Sequence, residues 1–536
     1  MEGLFLMVIE ISHCFGEQLI TEAIMGDSEH EPDPRVSIIN DVPSLPRVTR
    51  DGPGTFSDLF SSNSSSPAPV VCGIWTADDV ENGVEHWPQE YDEVKYVLTG
   101  ESIWEDVHTG KRFTASPGSM IWLPKGAQTR LVWAQNLSTI YVEQAFRQSV
   151  AARQLESSWI SRLQILHDQA ICAYTESNPA SRAHYESALN YLPGGNTRSV
   201  LAYSPFPLAL ASGSGCRVTS LDGHGYLDLV SEYSAAFFGH SNEAILAGVQ
   251  RAGRKGLNLG GANPDEVELA IQLVNRFPSI DKIRFCNSGT EANILATCLG
   301  LAFTGRKKVL GFNNGYHGAF THFGSAGNSL NIPFEYAVGQ YNVTSPNDRL
   351  LSEDIGVIIL EPMQGAGGML PASKGFLQWA RHAADRIGAV LVFDEIITSR
   401  LHIGGLQTHF DVYPDLTTLG KYVGGGFGFG ACGGRADIMA LLNPGGLFHS
   451  GTYNNDTFTM AAGVEAGKLL TRDKIAKANN LGDILRDGIN SIAKRYEQSH
   501  LVDSTGFGSC VGIHFSGPVP TLLKDAFFFY MLQHKV

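Results

Sequence analysis

Three near-continuous apolar runs mark the second half of the chain: Lys308-Val309-Leu310-Gly311-Phe312, Gly356-Val357-Ile358-Ile359-Leu360 and Ala389-Val390-Leu391-Val392-Phe393. A strand that is apolar at successive positions is buried on both faces, as in a parallel sheet covered by helices. Amphipathic segments alternate with these runs from about Pro193 onward, which predicts a large α/β domain. The earlier pattern differs. Residues 94–98, 102–107, 119–123 and 137–143 are short segments rich in β-branched and aromatic side chains, with Gly100, Gly110, Gly118 and Gly126 at the breaks. Turn signals at about ten-residue spacing predict a small antiparallel barrel or sandwich. Between the two, Leu155, Ile160, Leu163 and Leu166 recur at roughly helical spacing. The chain thus divides into a loose extension (1–44), a β domain (45–146) that contains a Ser/Pro-rich loop at 61–69, a helical linker (147–190) and the α/β domain (191–536).

Composition narrows the function. Of 536 residues 43% are hydrophobic and 17% charged, as in globular chains. The net charge of −15, without any Lys/Arg-rich run, argues against a nucleic-acid partner. The apolar run at residues 4–9 is too short to span a bilayer, and Glu2 replaces the basic stretch of a secretory signal. Eight scattered cysteines without a C-x-x-C favour free thiols in a reducing compartment. A cytoplasmic protein without membrane attachment is expected.

In an open α/β sheet, ligands sit beyond the carboxyl ends of the strands. Glu361-Pro362 follows one apolar run and Asp394-Glu395 ends another. Asn287-Ser288-Gly289-Thr290-Glu291-Ala292-Asn293 opens an apolar helix, where free amides and the helix dipole favour an anion. Ser288 and Thr290 would add hydroxyl donors, and a plain helix cap is the alternative. Lys421 lies between an apolar strand end and Gly424-Gly425-Gly426, a setting for a desolvated amine that forms a Schiff base. A solvated surface lysine is the alternative there. Together, an anion cradle, a strand-end aspartate and a lysine 27 residues later match the needs of pyridoxal phosphate. Asp394 and Ile396 are two apart on an extended segment and share a side. One would pair with the ring nitrogen and the other pack on the ring, with Tyr316-His317 on the opposite face.

These motifs, with Gly315-Tyr316-His317-Gly318, Asp415-Leu416-Thr417-Thr418-Leu419-Gly420-Lys421 and His449-Ser450-Gly451-Thr452, resemble the class III aminotransferases over about residues 165–536. The likeness is strongest to glutamate-1-semialdehyde aminomutases and β-amino-acid aminotransferases. The resemblance implies a fold-type I, pyridoxal-phosphate-dependent homodimer that takes a small-molecule amino donor and a keto acceptor. Lys421 would hold the cofactor and shuttle the proton, and Asp394 would hold the pyridinium. Ser288, Gly289 and Thr290 would bind the phosphate with Thr452 of the partner subunit. Tyr316 would stack on the ring beside His317, and Glu361 would lie on the substrate side. Pro193-Gly194-Gly195-Asn196-Thr197-Arg198-Ser199 resembles the substrate loop of the β-amino-acid enzymes, so Arg198 would grip a substrate carboxylate through its fork. A surface arginine is the alternative reading. Family members continue beyond the point where this chain ends, so the carboxyl-terminal part reads as shortened: either the chain is clipped or its substrate pocket is incomplete.

Residues 91–100 and 117–126 resemble the two cupin motifs, of the ethanolamine-utilisation type, over about residues 45–146. A metal-binding cupin offers H-x-H, a Glu and a later His. Here Glu93 remains, but Tyr91 and Gln128-Thr129 stand where histidines are expected, and His86 reads as a loop residue. A non-metal module for small-molecule binding, dimerisation or stability is expected, with a cupin oxygenase as a remoter choice. The leading expectation for the whole chain is an aminotransferase acting on a small amino acid, a β-amino acid first. An intramolecular aminomutase is the runner-up, and a non-catalytic scaffold is the rival from another class. The fused auxiliary domain suggests, by association alone, a specialised biosynthetic pathway.

Overall fold

The computed structural model describes residues 49–51, 54–61, 70–77, 80, 84–85, 92–144, 150–324 and 327–536. The expected extension, most of the Ser/Pro-rich loop, His86 and Tyr91 lie outside them. The described residues fall into two compact units, divided between Leu166 and His167.

The first unit is an antiparallel sheet of eight strands. Its two longest strands, Glu93–Asp106 and Thr129–Glu143, pair along most of their length. Residues 94–98 and 102–107, expected as two strands parted at Gly100, are therefore one. Gly100 sits at φ +78°, where a Cβ would lie 2.4 Å from the carbonyl oxygens of Gln135 and Asn136. It makes a bulge with register shifts on either side rather than a chain reversal. Trp75, Val97, Trp104, Leu131 and Tyr141 fill the core. Glu93 is buried and pairs with Lys95 at 2.5 Å, the ammonium lying over the Trp75 and Tyr141 rings at 4.9 and 5.5 Å. Among the described residues, no group of three or more His, Cys, Asp or Glu is placed to hold a metal.

Helices Val150–Ser177 and Pro179–Ala188 occupy the expected linker and part at Asn178. The second unit is built on a seven-stranded sheet. Its order is Lys282–Cys286, Gly430–Gly434, Leu416–Gly420, Val390–Asp394, Ile355–Leu360, Lys308–Phe312, Glu335–Gly339. Six of the seven strands run in one direction and Gly430–Gly434 runs against them. Alternate strand residues feed opposite cores. Val357, Ile359, Val390 and Val392 join Leu295 and Leu299 of helix Gly289–Thr304. Ile358, Leu360, Leu391 and Phe393 join Phe376, Leu377 and Ala380 of helix Lys374–Ile387. The continuous apolar runs follow directly, because each side chain meets a helix on one face or the other. Full burial of one such side chain is worth about 1.5–3 kcal/mol. This is the α/β architecture the pattern predicts. Among the described residues, no helix is long and apolar enough to cross a membrane.

Candidate active site

Three neighbouring parallel strands deliver three ionisable groups at their carboxyl ends. Leu416–Gly420 leads into Lys421, Val390–Asp394 ends on Asp394, and Ile355–Leu360 leads into Glu361. Ser288 caps helix Gly289–Thr304, its Oγ accepting from the Glu291 amide at 3.1 Å. The first amides of a helix have no intrahelical partner, so Gly289 and Thr290 present donors at this end of the sheet.

Asp394 is buried and its orientation is fixed from three directions. Its Oδ2 accepts from Asn293 Nδ2 at 2.7 Å and from His317 Nδ1 at 2.9 Å, and its Oδ1 from the Ile396 amide at 3.1 Å. Thr418 Oγ1 donates to Asn293 Oδ1 at 2.6 Å, which orients the Asn293 amide. His317 is buried and faces Asp394, whereas Tyr316 is half-exposed. Glu361 is buried between two backbone donors, Tyr316 N at 3.0 Å and Gly365 N at 2.9 Å.

Burial pushes the Glu361 carboxyl up from 4.5 to about 7, with the negative charge of Asp394 adding and His317 opposing. The folded chain therefore keeps a proton at Glu361 that the unfolded chain releases at lower pH. This contribution to stability is complete below pH 4.5 and is lost as the pH rises through about 7. It amounts to at most about 3 kcal/mol. Glu361→Gln should flatten that part of the stability profile, measurable as thermal unfolding from pH 4.5 to 8. Parallel profiles of variant and wild type would contradict it.

Lys421 stands at φ +56°, a backbone state that non-glycine residues adopt mainly at functional or strained positions. Its Nζ donates to the Tyr233 carbonyl at 2.8 Å. Burial lowers its pKa; Asp394, Glu361 and Cys510 act in the opposite sense, while the Arg198 guanidinium adds to the lowering. Arg198 lies over the Tyr233 ring at 5.6 Å and pairs with Glu232.

The expected residues thus converge unevenly. Asp394, His317, Glu361 and Lys421 share one charged cluster, and Arg198 and Lys421 meet at Tyr233. Ile396 packs against Gly289, where a Cβ would come within 2.6 Å of its Cδ1, and Thr290 packs against Gly318. Thr452 is exposed, and its loop is tied to the cap through Asn287 Nδ2 and Asn454 Oδ1 at 3.1 Å. Sequence reasoning gave no role to Asn293, Glu232 or Tyr233. Arg400 is buried, reaching Ser234 Oγ at 3.0 Å and the Ser509 carbonyl at 2.8 Å. Asn293 carried a signal in the sequence, as a polar residue within an apolar helix.

Pyridoxal 5′-phosphate needs an amine, a carboxylate for the ring nitrogen, a flat apolar contact and phosphate donors. Lys421, Asp394, Ile396 and the start of helix Gly289–Thr304 supply these, and a side chain at Gly289 would close the cradle against Ile396. The residues fit.

Comparison with known proteins agrees with the geometry. Residues 200–527 match the family described as aminotransferase class-III, and residues 52–146 match that of the ethanolamine utilisation protein EutQ. A beta-phenylalanine transaminase of Variovorax paradoxus is 42% identical over 390 residues, 69% of this chain and 89% of the relative. The crystal structure of a beta-phenylalanine aminotransferase from Variovorax paradoxus superposes with a TM-score of 0.67 at 41% identity, over 70% of this chain and 90% of that one. A glutamate-1-semialdehyde 2,1-aminomutase of Ignicoccus hospitalis is 37% identical over 59% of this chain and 78% of its own length. A transaminase solved with PLP bound matches at 26% identity and a TM-score of 0.59, over 67% of this chain and 99% of that one.

Proposed function

This chain is a class III aminotransferase that works with pyridoxal 5′-phosphate, and we propose that it moves an amino group from a small β-amino acid to a keto acid or aldehyde. The observation that carries this choice of donor is Arg198 beside Lys421: a planar guanidinium fork and a desolvated amine, both against Tyr233. A fork of this kind suits a carboxylate held at a distance from the amine. The 42% identity to a beta-phenylalanine transaminase supports the same reading.

When bound, the cofactor supplies an electron sink for the carbon that loses its proton. The protein's share is positional. Lys421 Nζ, biased by burial toward its neutral form, is suited to attach the cofactor and then carry that proton. Asp394, held by Asn293, His317 and the Ile396 amide, would keep a proton on the ring nitrogen. Ser288, Gly289 and Thr290 would hold the phosphate, joined in a homodimer by Thr452 of the partner subunit. Ile396 and Tyr316 would flank the ring, and Glu361 would close the substrate side. The amino-terminal unit is read as a non-metal module, and the protein as cytoplasmic.

Arg198→Ala should raise KM for β-phenylalanine about 10- to 100-fold with kcat nearly unchanged, since a charged hydrogen-bonded pair is worth about 1.5–3 kcal/mol. An unchanged KM would remove Arg198 from the substrate site. An aminomutase is the second reading, favoured by the 37% identical relative. Withholding a keto acceptor separates the two: a mutase continues to turn over, and a transaminase stops after half a cycle.

A further inference from the structure

The turn Ser231–Ser234 lies against both cations of the site. Its four residues stand at φ +51°, +48°, +51° and +83°, and none is glycine. Such a run persists only where surrounding contacts hold it, typically at ligand clamps and switch segments. Its ends are anchored to the fold. The Ser231 amide donates to Asp228 Oδ1 at 2.8 Å, and Ser234 Oγ accepts from Arg400 at 3.0 Å. Its middle is engaged instead by the two cations. The Glu232 carboxylate pairs with Arg198, and the Tyr233 carbonyl accepts from Lys421 Nζ at 2.8 Å.

A substrate carboxylate is the same group that Glu232 presents to Arg198. Both members of the Arg198–Glu232 pair are nearly half-exposed, so the pair is weak and open to exchange. We propose that Glu232 is a built-in substrate mimic, which pairs with the Arg198 guanidinium until a substrate carboxylate displaces it. This rests on the reading of Arg198 as the carboxylate fork. Glu232 then sets how tightly carboxylate substrates bind, without touching the reacting atoms. Every incoming carboxylate is weakened by the fraction of forks that Glu232 fills.

The test uses the cofactor-loaded enzyme and two readouts. One is the Kd of 3-phenylpropionate, a carboxylate without an amine, by calorimetry. The other is KM and kcat for β-phenylalanine. Glu232→Gln should lower Kd and KM roughly two- to five-fold with kcat unchanged, the range expected for loss of an exposed competing ion pair. The gain should vanish in the Arg198→Ala background. Glu232→Asp, whose shorter side chain withdraws from the fork, should show the same direction and guards against a folding defect in the first variant. Unchanged or weaker binding in both Glu232 variants, with Arg198→Ala still weakening it, would overturn the mimic and leave the fork standing. No effect of Arg198→Ala on either ligand would overturn both.

Discussion

Replacing Lys421 with alanine should abolish transamination while leaving a folded protein that still takes up cofactor. The expected loss is at least about a thousandfold, because on the proposed mechanism one group would both attach the cofactor and move the proton. Retention is expected because the other groups proposed to hold the cofactor lie elsewhere: Asp394 on one strand end, Gly289 and Thr290 at a helix start, and Ile396 packed against Gly289. The variant should bind the cofactor reversibly and lose it on dialysis, which absorption before and after dialysis measures. Residual turnover within tenfold of the wild type would remove Lys421 from the chemistry.

Asp394→Asn is the second large effect. Asp394 is buried and accepts from two side chains and one amide, so its charge is held at one place. A neutral amide there would leave the ring nitrogen without the counter-ion proposed for it, and its NH2 group would face the donors of Asn293 or His317. Breaking a buried charged pair costs roughly 3–5 kcal/mol, which is about two to nearly four decades in rate. Cofactor content, measured by absorbance after release, should remain close to stoichiometric. A variant with normal kcat would show that Asp394 has no part in activating the ring.

What the sequence disclosed depended on whether the signal was local. The strands at 308–312, 355–360 and 390–394 were legible because burial on both faces leaves a continuous apolar run. Lys421, Asp394 and Ser288 were legible because strand ends and helix starts are local features. Gly430–Gly434 was not seen as a strand. Three of its five residues are glycine, a composition that reads as loop, and it is a strand because it pairs on both sides. Gly100 misled in the opposite way, since a bulge and a turn carry the same residue signal. Tyr233 was beyond reach: left-handed backbone at four non-glycine residues has no local signature, and its contact with Lys421 spans 188 positions. Asn293 was visible as polar within an apolar helix, but its partner Asp394 lies 101 residues away. The His317 contact with Asp394 likewise joins a loop to a strand end 77 residues away, and neither segment alone shows it.

The most direct measurement of the central claim is the visible absorption spectrum of the cofactor-loaded protein, before and after racemic β-phenylalanine is added without a keto acceptor. Lys421 chemistry on a β-amino donor predicts that the band of the bound aldehyde cofactor bleaches to the pyridoxamine form, with one keto product released per site. A band that persists with β-phenylalanine, and bleaches only with other amines, would contradict the β-amino donor.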